Sequence, residues 1–184
     1  TFHKKLESIS KGKNLILQIS LDSTDSTIND YTRGKTAKIL KNLEQIKDSS
    51  IEFQMATVVH KLNLKSAHNV IDEFYPYIKR FHFLNIQHTE EALKYPELLM
   101  SPEEAQDFWL NLSEHSKKFP NDLFLPSLRI QLRAMGTATV DPEFSLHNTA
   151  SFDCSSCTAG HTHINITSDF KVLGCDIAKD HTFM

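Results

Sequence analysis

The chain has 184 residues and a formal net charge of -3, with 40% hydrophobic and 23% charged residues. That is the balance of a globular protein, long enough for one domain or a small domain with an appendage. The slightly acidic charge leaves no electrostatic footprint for nucleic acid or an anionic membrane, and the longest apolar runs, 15–19 and 55–59, are far too short to span a bilayer. No apolar stretch follows the basic N-terminal residues as in a signal peptide, so the expected location is cytoplasmic.

Residues 14–21 (NLILQISL) form a short apolar run that ends in Asp22-Ser23-Thr24-Asp25, the pattern of a buried strand followed by a loop. Ile39, Leu40, Leu43 and Ile46 then mark one face of an amphipathic helix over 36–47. The β-branched run 51–59 predicts a second strand. Asn63 suits the N-cap of a second helix carrying Leu64, Ala67, Val70, Ile71 and Phe74, and 80–87 (RFHFLNIQ) reads as a third strand. The order β-α-β-α-β, with connections long enough for crossovers, predicts parallel strands. Three of them form half of an α/β barrel or part of an open sheet, with an edge that needs covering.

The composition changes near residue 90. Ser101-Pro102-Glu103-Glu104 is a strong helix start, with a capping residue, a first-turn proline and a glutamate placed to close a capping box. That helix is expected to end before Pro120, with another over 123–134. Residues 136–153 are turn-prone, and alternation at 163–167 and 170–173 suggests a small hairpin. The domain reading is therefore 1–90 as the α/β half-barrel, 91–150 as a helical connector and 151–184 as a cysteine module.

All three cysteines lie in the last thirty-one residues, as Cys154-Ser155-Ser156-Cys157 and then Cys175. A C-x2-C pair brings two thiolates to one metal from a single turn, and the hairpin returns the third. Thiolates of this kind serve structural zinc or an iron–sulfur cluster. Zinc requires a fourth ligand, for which His161 and His163 are near in sequence. The remaining alternative is three unligated thiols. His3, His60, His68, His115 and His147 are isolated in sequence and read as surface or core residues.

In this order the segments resemble the second half of radical S-adenosylmethionine (radical SAM, AdoMet) enzymes. The carrying residues are Gln18-Ile19-Ser20-Leu21-Asp22, with Ser23 where the family commonly has glycine, Asn29-Asp30-Tyr31-Thr32-Arg33-Gly34, the strand from Ala56 to Asn63, and His82 to Gln87. Cys157-Thr158-Ala159-Gly160 through Lys171-Val172-Leu173-Gly174-Cys175 is similar to the opening of the SPASM or twitch auxiliary-cluster module, with Phe170 in place of the hairpin glycine. The resemblance implies a half radical SAM barrel and a parent oxidoreductase that generates a 5′-deoxyadenosyl radical from AdoMet to act on a peptide or a small molecule. It also implies an auxiliary 4Fe-4S cluster at Cys154, Cys157 and Cys175. Ser20, Asp22 and Arg33 are the cofactor-binding residues it points to; Ser20 and Asp22 also suit the bland role of capping a strand-to-helix loop. The C-x3-C-x2-C motif of the family does not occur in these residues, so the chain reads as a C-terminal fragment that is inactive alone and pairs through its exposed edge as a homodimer. The rival reading is a non-catalytic interaction domain stabilised by zinc.

Overall fold

The computed structural model describes residues 16–47 and 49–135, and the backbone of 165–166, 172–173 and 182–183. The chain forms two compact units, 1–138 and 139–184. In the first, three strands form a parallel sheet in the order β1 (Ile16–Ser20), β2 (Glu52–Val59) and β3 (Arg80–Asn85). The register places Gln18 opposite Gln54 and Ser20 opposite Ala56, then Ala56 opposite His82. The expected βαβαβ order and parallel pairing are both present.

Alternation along the strands gives the sheet two unlike faces. One carries Leu17, Ile19, Phe53, Met55, Val59, Phe81 and Phe83, and the last five of these are buried. The helices join the same core through Leu43, Val70, Ile71, Phe74, Phe108, Trp109, Leu112 and Leu128. Each large side chain so buried contributes about 1.5–3 kcal/mol. The other face is mixed: it carries Gln18, Ser20, Gln54 and His82, which stay partly or fully exposed, together with Ile16, Val58, Leu84 and the buried Ala56. Across it, the Gln54 amide donates to the Gln18 side-chain carbonyl at 2.9 Å.

The connections depart from expectation in two places. The stretch after β1 is not only loop: α1 (Ser26–Thr32) forms there, capped by Asp25, whose carboxylate accepts from the Thr27 backbone N–H at 2.8 Å. It precedes α2 (Thr36–Ile46). Between β2 and β3, residues 61–68 form successive turns, and only α3 (Asn69–Phe74) is α-helix. Asn63 therefore caps no helix, because its side chain is committed to strand ends instead.

Two short 3-10 turns (Ala92–Lys94 and Pro96–Leu98) lead to α4 (Pro102–Ser116), which starts with the expected capping box between Ser101 and Glu104. The predicted last helix is α5 (Pro126–Ala134). Just before it, Phe124 bridges Arg80 in parallel, so a single residue covers the outer edge of β3. In the second unit, β4 (Asn165–Ile166) pairs antiparallel with β5 (Val172–Leu173), and β5 pairs antiparallel with β6 (Thr182–Phe183); the rest of the expected cysteine hairpin lies outside the described residues.

Between α1 and α2 the backbone turns through two left-handed residues, Gly34 at φ 72° and Lys35 at φ 60°. Lys35 provides no side-chain cap for α2; Asp30 instead accepts from the Thr36 N–H at 2.7 Å and the Thr36 hydroxyl at 2.6 Å. A Cβ on Gly34 meets nothing nearer than 4.0 Å, so substitution there costs only backbone strain. Gly34→Ala is expected to lower unfolding free energy by about 1 kcal/mol, and Lys35→Gly to leave it unchanged or raise it by under about 1 kcal/mol, both read from urea titration.

Candidate functional site

The polar residues of this unit converge at the C-terminal ends of β1 and β2, the end at which α/β folds hold their ligands. Leu21 continues β1 by donating its N–H to the Ala56 carbonyl at 3.0 Å. Asp22 follows at 3% exposure, and its polar groups are tied to three other segments. Its backbone N–H donates to the Asn29 side-chain carbonyl at 2.8 Å, and its backbone carbonyl accepts from the Asn63 amide at 2.7 Å. Its carboxylate accepts from the Val58 N–H at 2.9 Å and the Thr32 hydroxyl at 3.1 Å, and forms an ion pair with Arg33, whose Nε lies 2.8 Å away.

Asn63, fully buried, holds the ends of the first two strands together. Its amide donates also to the Val58 carbonyl at 2.9 Å, while its own carbonyl accepts from the His60 N–H at 2.9 Å. Thr57 adds a hydroxyl bond to the Leu21 carbonyl at 2.7 Å. Asn29 extends the network to α2 by donating to the Thr36 hydroxyl at 2.8 Å. Ser23, where the resemblance expects glycine, is fully buried and its hydroxyl accepts from the Asp25 N–H at 3.0 Å.

Of the residues singled out from the sequence, Asp22 and Arg33 are joined directly. Ser20, the last residue of β1, is partly exposed on the open sheet face. The Arg33 side chain is 29% exposed and engages Asp22 through Nε; its terminal amino groups have no hydrogen-bond partner among the described residues. Cys154, Cys157 and Cys175, with His161 and His163, lie outside the described residues.

Sequence reading passed over three contributors. Asn29 and Thr36 look like ordinary helix-end residues, and His60 looks isolated. Yet His60 follows directly after β2, is 1% exposed, and neither ring nitrogen has a hydrogen-bond partner among the described residues. Burial holds its pKa below the ordinary histidine value, opposed by the charge of Asp22 and reinforced by that of Arg33. The ring is therefore a neutral imidazole beside an ion pair. His82, on the open face of β3, is also shifted down by burial.

Two outcomes are expected from these arrangements. Asn63→Ala strands three backbone groups at the ends of β1 and β2 and should cost about 3 kcal/mol in urea unfolding. The buried His60 ring and the partly buried His82 ring protonate less readily in the folded chain than in the unfolded one, whose value is 6.5. Stability is thus insensitive to these rings above that value and falls as the pH drops from it toward their folded values. His60→Leu should flatten that fall when unfolding at about pH 7.5 and about pH 5.5 is compared.

No protein-family model matches the chain, and no curated protein matches it. Solved structures do. Native anSMEcpe with bound AdoMet superimposes with a TM-score of 0.54 at 16% identity, over 73% of this chain and 40% of that one. Native anSMEcpe with bound AdoMet and Cp18Cys peptide gives 0.52 at 16% identity, over 67% and 37%. Histidine-tagged anSMEcpe with bound AdoMet gives 0.50 at 16% identity, over 67% and 35%. The chain thus spans about two fifths of the length of the protein it resembles, and the likeness is one of fold: a parallel three-stranded sheet with its helices matches part of an AdoMet-bound α/β structure.

Proposed function

We propose that the chain is part of a radical SAM oxidoreductase acting on a peptide, with AdoMet bound at the C-terminal ends of β1 to β3 against the open face of the sheet. The observation that carries this reading is the likeness in fold to AdoMet-bound structures, one of them also holding a peptide. The ordered motifs of the sequence, from Ser20-Leu21-Asp22 to the cysteine cluster, lead independently to the same family.

The residues at the strand ends fit such a ligand. Asp22 pairs with the Arg33 guanidinium, Nε standing 2.8 Å from Oδ1, which orients the group so that its terminal N–H groups can meet an anion. A planar fork fixed in this way suits a carboxylate, such as the one on the methionyl part of AdoMet. Ser20 presents a hydroxyl on the open face for the ribose or adenine, and Gln18 and Gln54 line the same face. Asp22 itself acts as the positioning residue: its carboxylate sets Arg33 and locks the loop after β1 to the N–H of Val58. His60 supplies a neutral ring beside this pair, which keeps the local charge in balance. When bound and reduced by one electron, AdoMet supplies a 5′-deoxyadenosyl radical for hydrogen abstraction.

Cys154, Cys157 and Cys175 complete the proposal as ligands of an auxiliary 4Fe-4S cluster, in keeping with thiolate preference and the spacing of the sequence. The role assigned to that cluster is to accept an electron or to hold the substrate.

Two measurements on the full chain test the reading. Equilibrium dialysis with labelled AdoMet should show binding that weakens about tenfold in Arg33→Lys, which keeps the charge beside Asp22 but loses the planar fork. Anaerobic reconstitution with iron and sulfide should give about four irons per chain and broad visible absorption, both lost in Cys157→Ala. Failure to retain AdoMet would sink the cofactor assignment. One zinc per chain with no colour would replace the cluster by a structural zinc site.

A further inference from the structure

Among the described residues, one group of histidine and carboxylate side chains comes close enough to share an ion. His68 closes the run of turns before α3, and Asp72 stands four residues later, on the same side of the helix. From the other end of the unit, His115 in the last turn of α4 reaches the pair. Its Nε2 is 3.0 Å from Asp72 Oδ1, and its ring lies 4.4 Å from the His68 ring, centroid to centroid, tilted by 53°. One ligand atom from each of the three residues lies within 4.8 Å of the other two.

The His68 ring is half-buried at the N-terminal end of α3, beside both partners. The His115 side chain is only 10% exposed and rests against Phe119, with ring centroids 5.6 Å apart. Asp72, at 49% exposure, opens the group to solvent. The imidazoles are thus held by packing while the carboxylate provides the route for an ion.

We propose that His68, Asp72 and His115 form a binding site for a divalent cation of the zinc type, linking the segment before α3 to the end of α4. Two imidazole nitrogens and one carboxylate oxygen suit zinc, cobalt or nickel, whereas magnesium and calcium prefer oxygen alone. Zinc bonds of about 2.0–2.1 Å to each donor require the three side chains to close by about 1 Å, which small side-chain rotations supply, with water in the fourth position. On loading, the hydrogen bond between His115 and Asp72 gives way to two bonds to the ion. Nε2 then binds the ion with its lone pair, and the one proton of the neutral ring is exchanged through solvent from Nε2 to Nδ1, with no net release. Lys118 Nζ stands 3.3 Å from that Nδ1, so its ammonium opposes loading. The site depends on no part of the AdoMet reading.

The test is titration of the full chain with zinc, repeated with cobalt, in which thiolate-bound metal is distinguished by its sulfur-to-metal charge-transfer absorption. His115→Ala should bind one zinc fewer per chain. Asp72→Asn, at an exposed position that tolerates the change, should weaken that site at least about tenfold. Lys118→Met should tighten it, a gain that damage to folding does not produce. Unchanged zinc stoichiometry in a folded His115→Ala chain, or unchanged affinity in both Asp72→Asn and Lys118→Met, overturns the site.

Discussion

A carboxylate at 3% exposure is tolerable only when its charge and lone pairs are met inside the protein, and Asp22 meets that condition through Arg33, Thr32 and the Val58 N–H. The same residue, through its backbone, receives Asn63 and engages Asn29. One position thereby joins the end of β1 to the end of β2, to α1 and to the loop after β2. Removing one partner of such a buried pair leaves an uncompensated charge, so these residues act as a unit. Among the described residues, this buried polar network and the candidate site are for that reason the same place.

The unlike faces of the sheet follow from a single helical layer. Phe53, Met55, Phe81 and Phe83 are covered by helices, whereas Gln18, Ser20, Gln54 and His82 face away from them. A parallel sheet usually has both faces covered or is closed into a barrel, and its strands are then apolar throughout. Here the second face instead mixes Gln18, Ser20, Gln54 and His82 with Ile16, Ala56, Val58 and Leu84.

The regular elements were legible because their signals are local. Apolar periodicity located three strands and α2, and Ser101 with Glu104 announced the start of α4. The short α1 was not, because its capping Asp25 sits in a run of polar turn-formers that resembles a loop. Asn63 misled for a related reason: the same side chain that suits an N-cap can reach across to another strand, and spacing alone does not distinguish the two. At the site, the family resemblance singled out Asp22 and Arg33, which the structure brings into contact. Asn29 and His60 fall within the carrying segments but, like Thr36, were assigned no role there, since their roles arise from contacts between segments apart in the chain. His68 and His115 looked solitary because forty-seven residues separate two rings that the fold brings together.

The single tryptophan of the chain ends up in an informative position. Trp109 is 1% exposed, and its indole N–H donates to the Asn85 side chain at 3.0 Å, at the C-terminal end of β3. Indole emission responds to the polarity of its surroundings and to the partner of its N–H. The protein therefore has an intrinsic fluorophore wired to the strand end, and any event that draws Asn85 away becomes an optical signal without an added label.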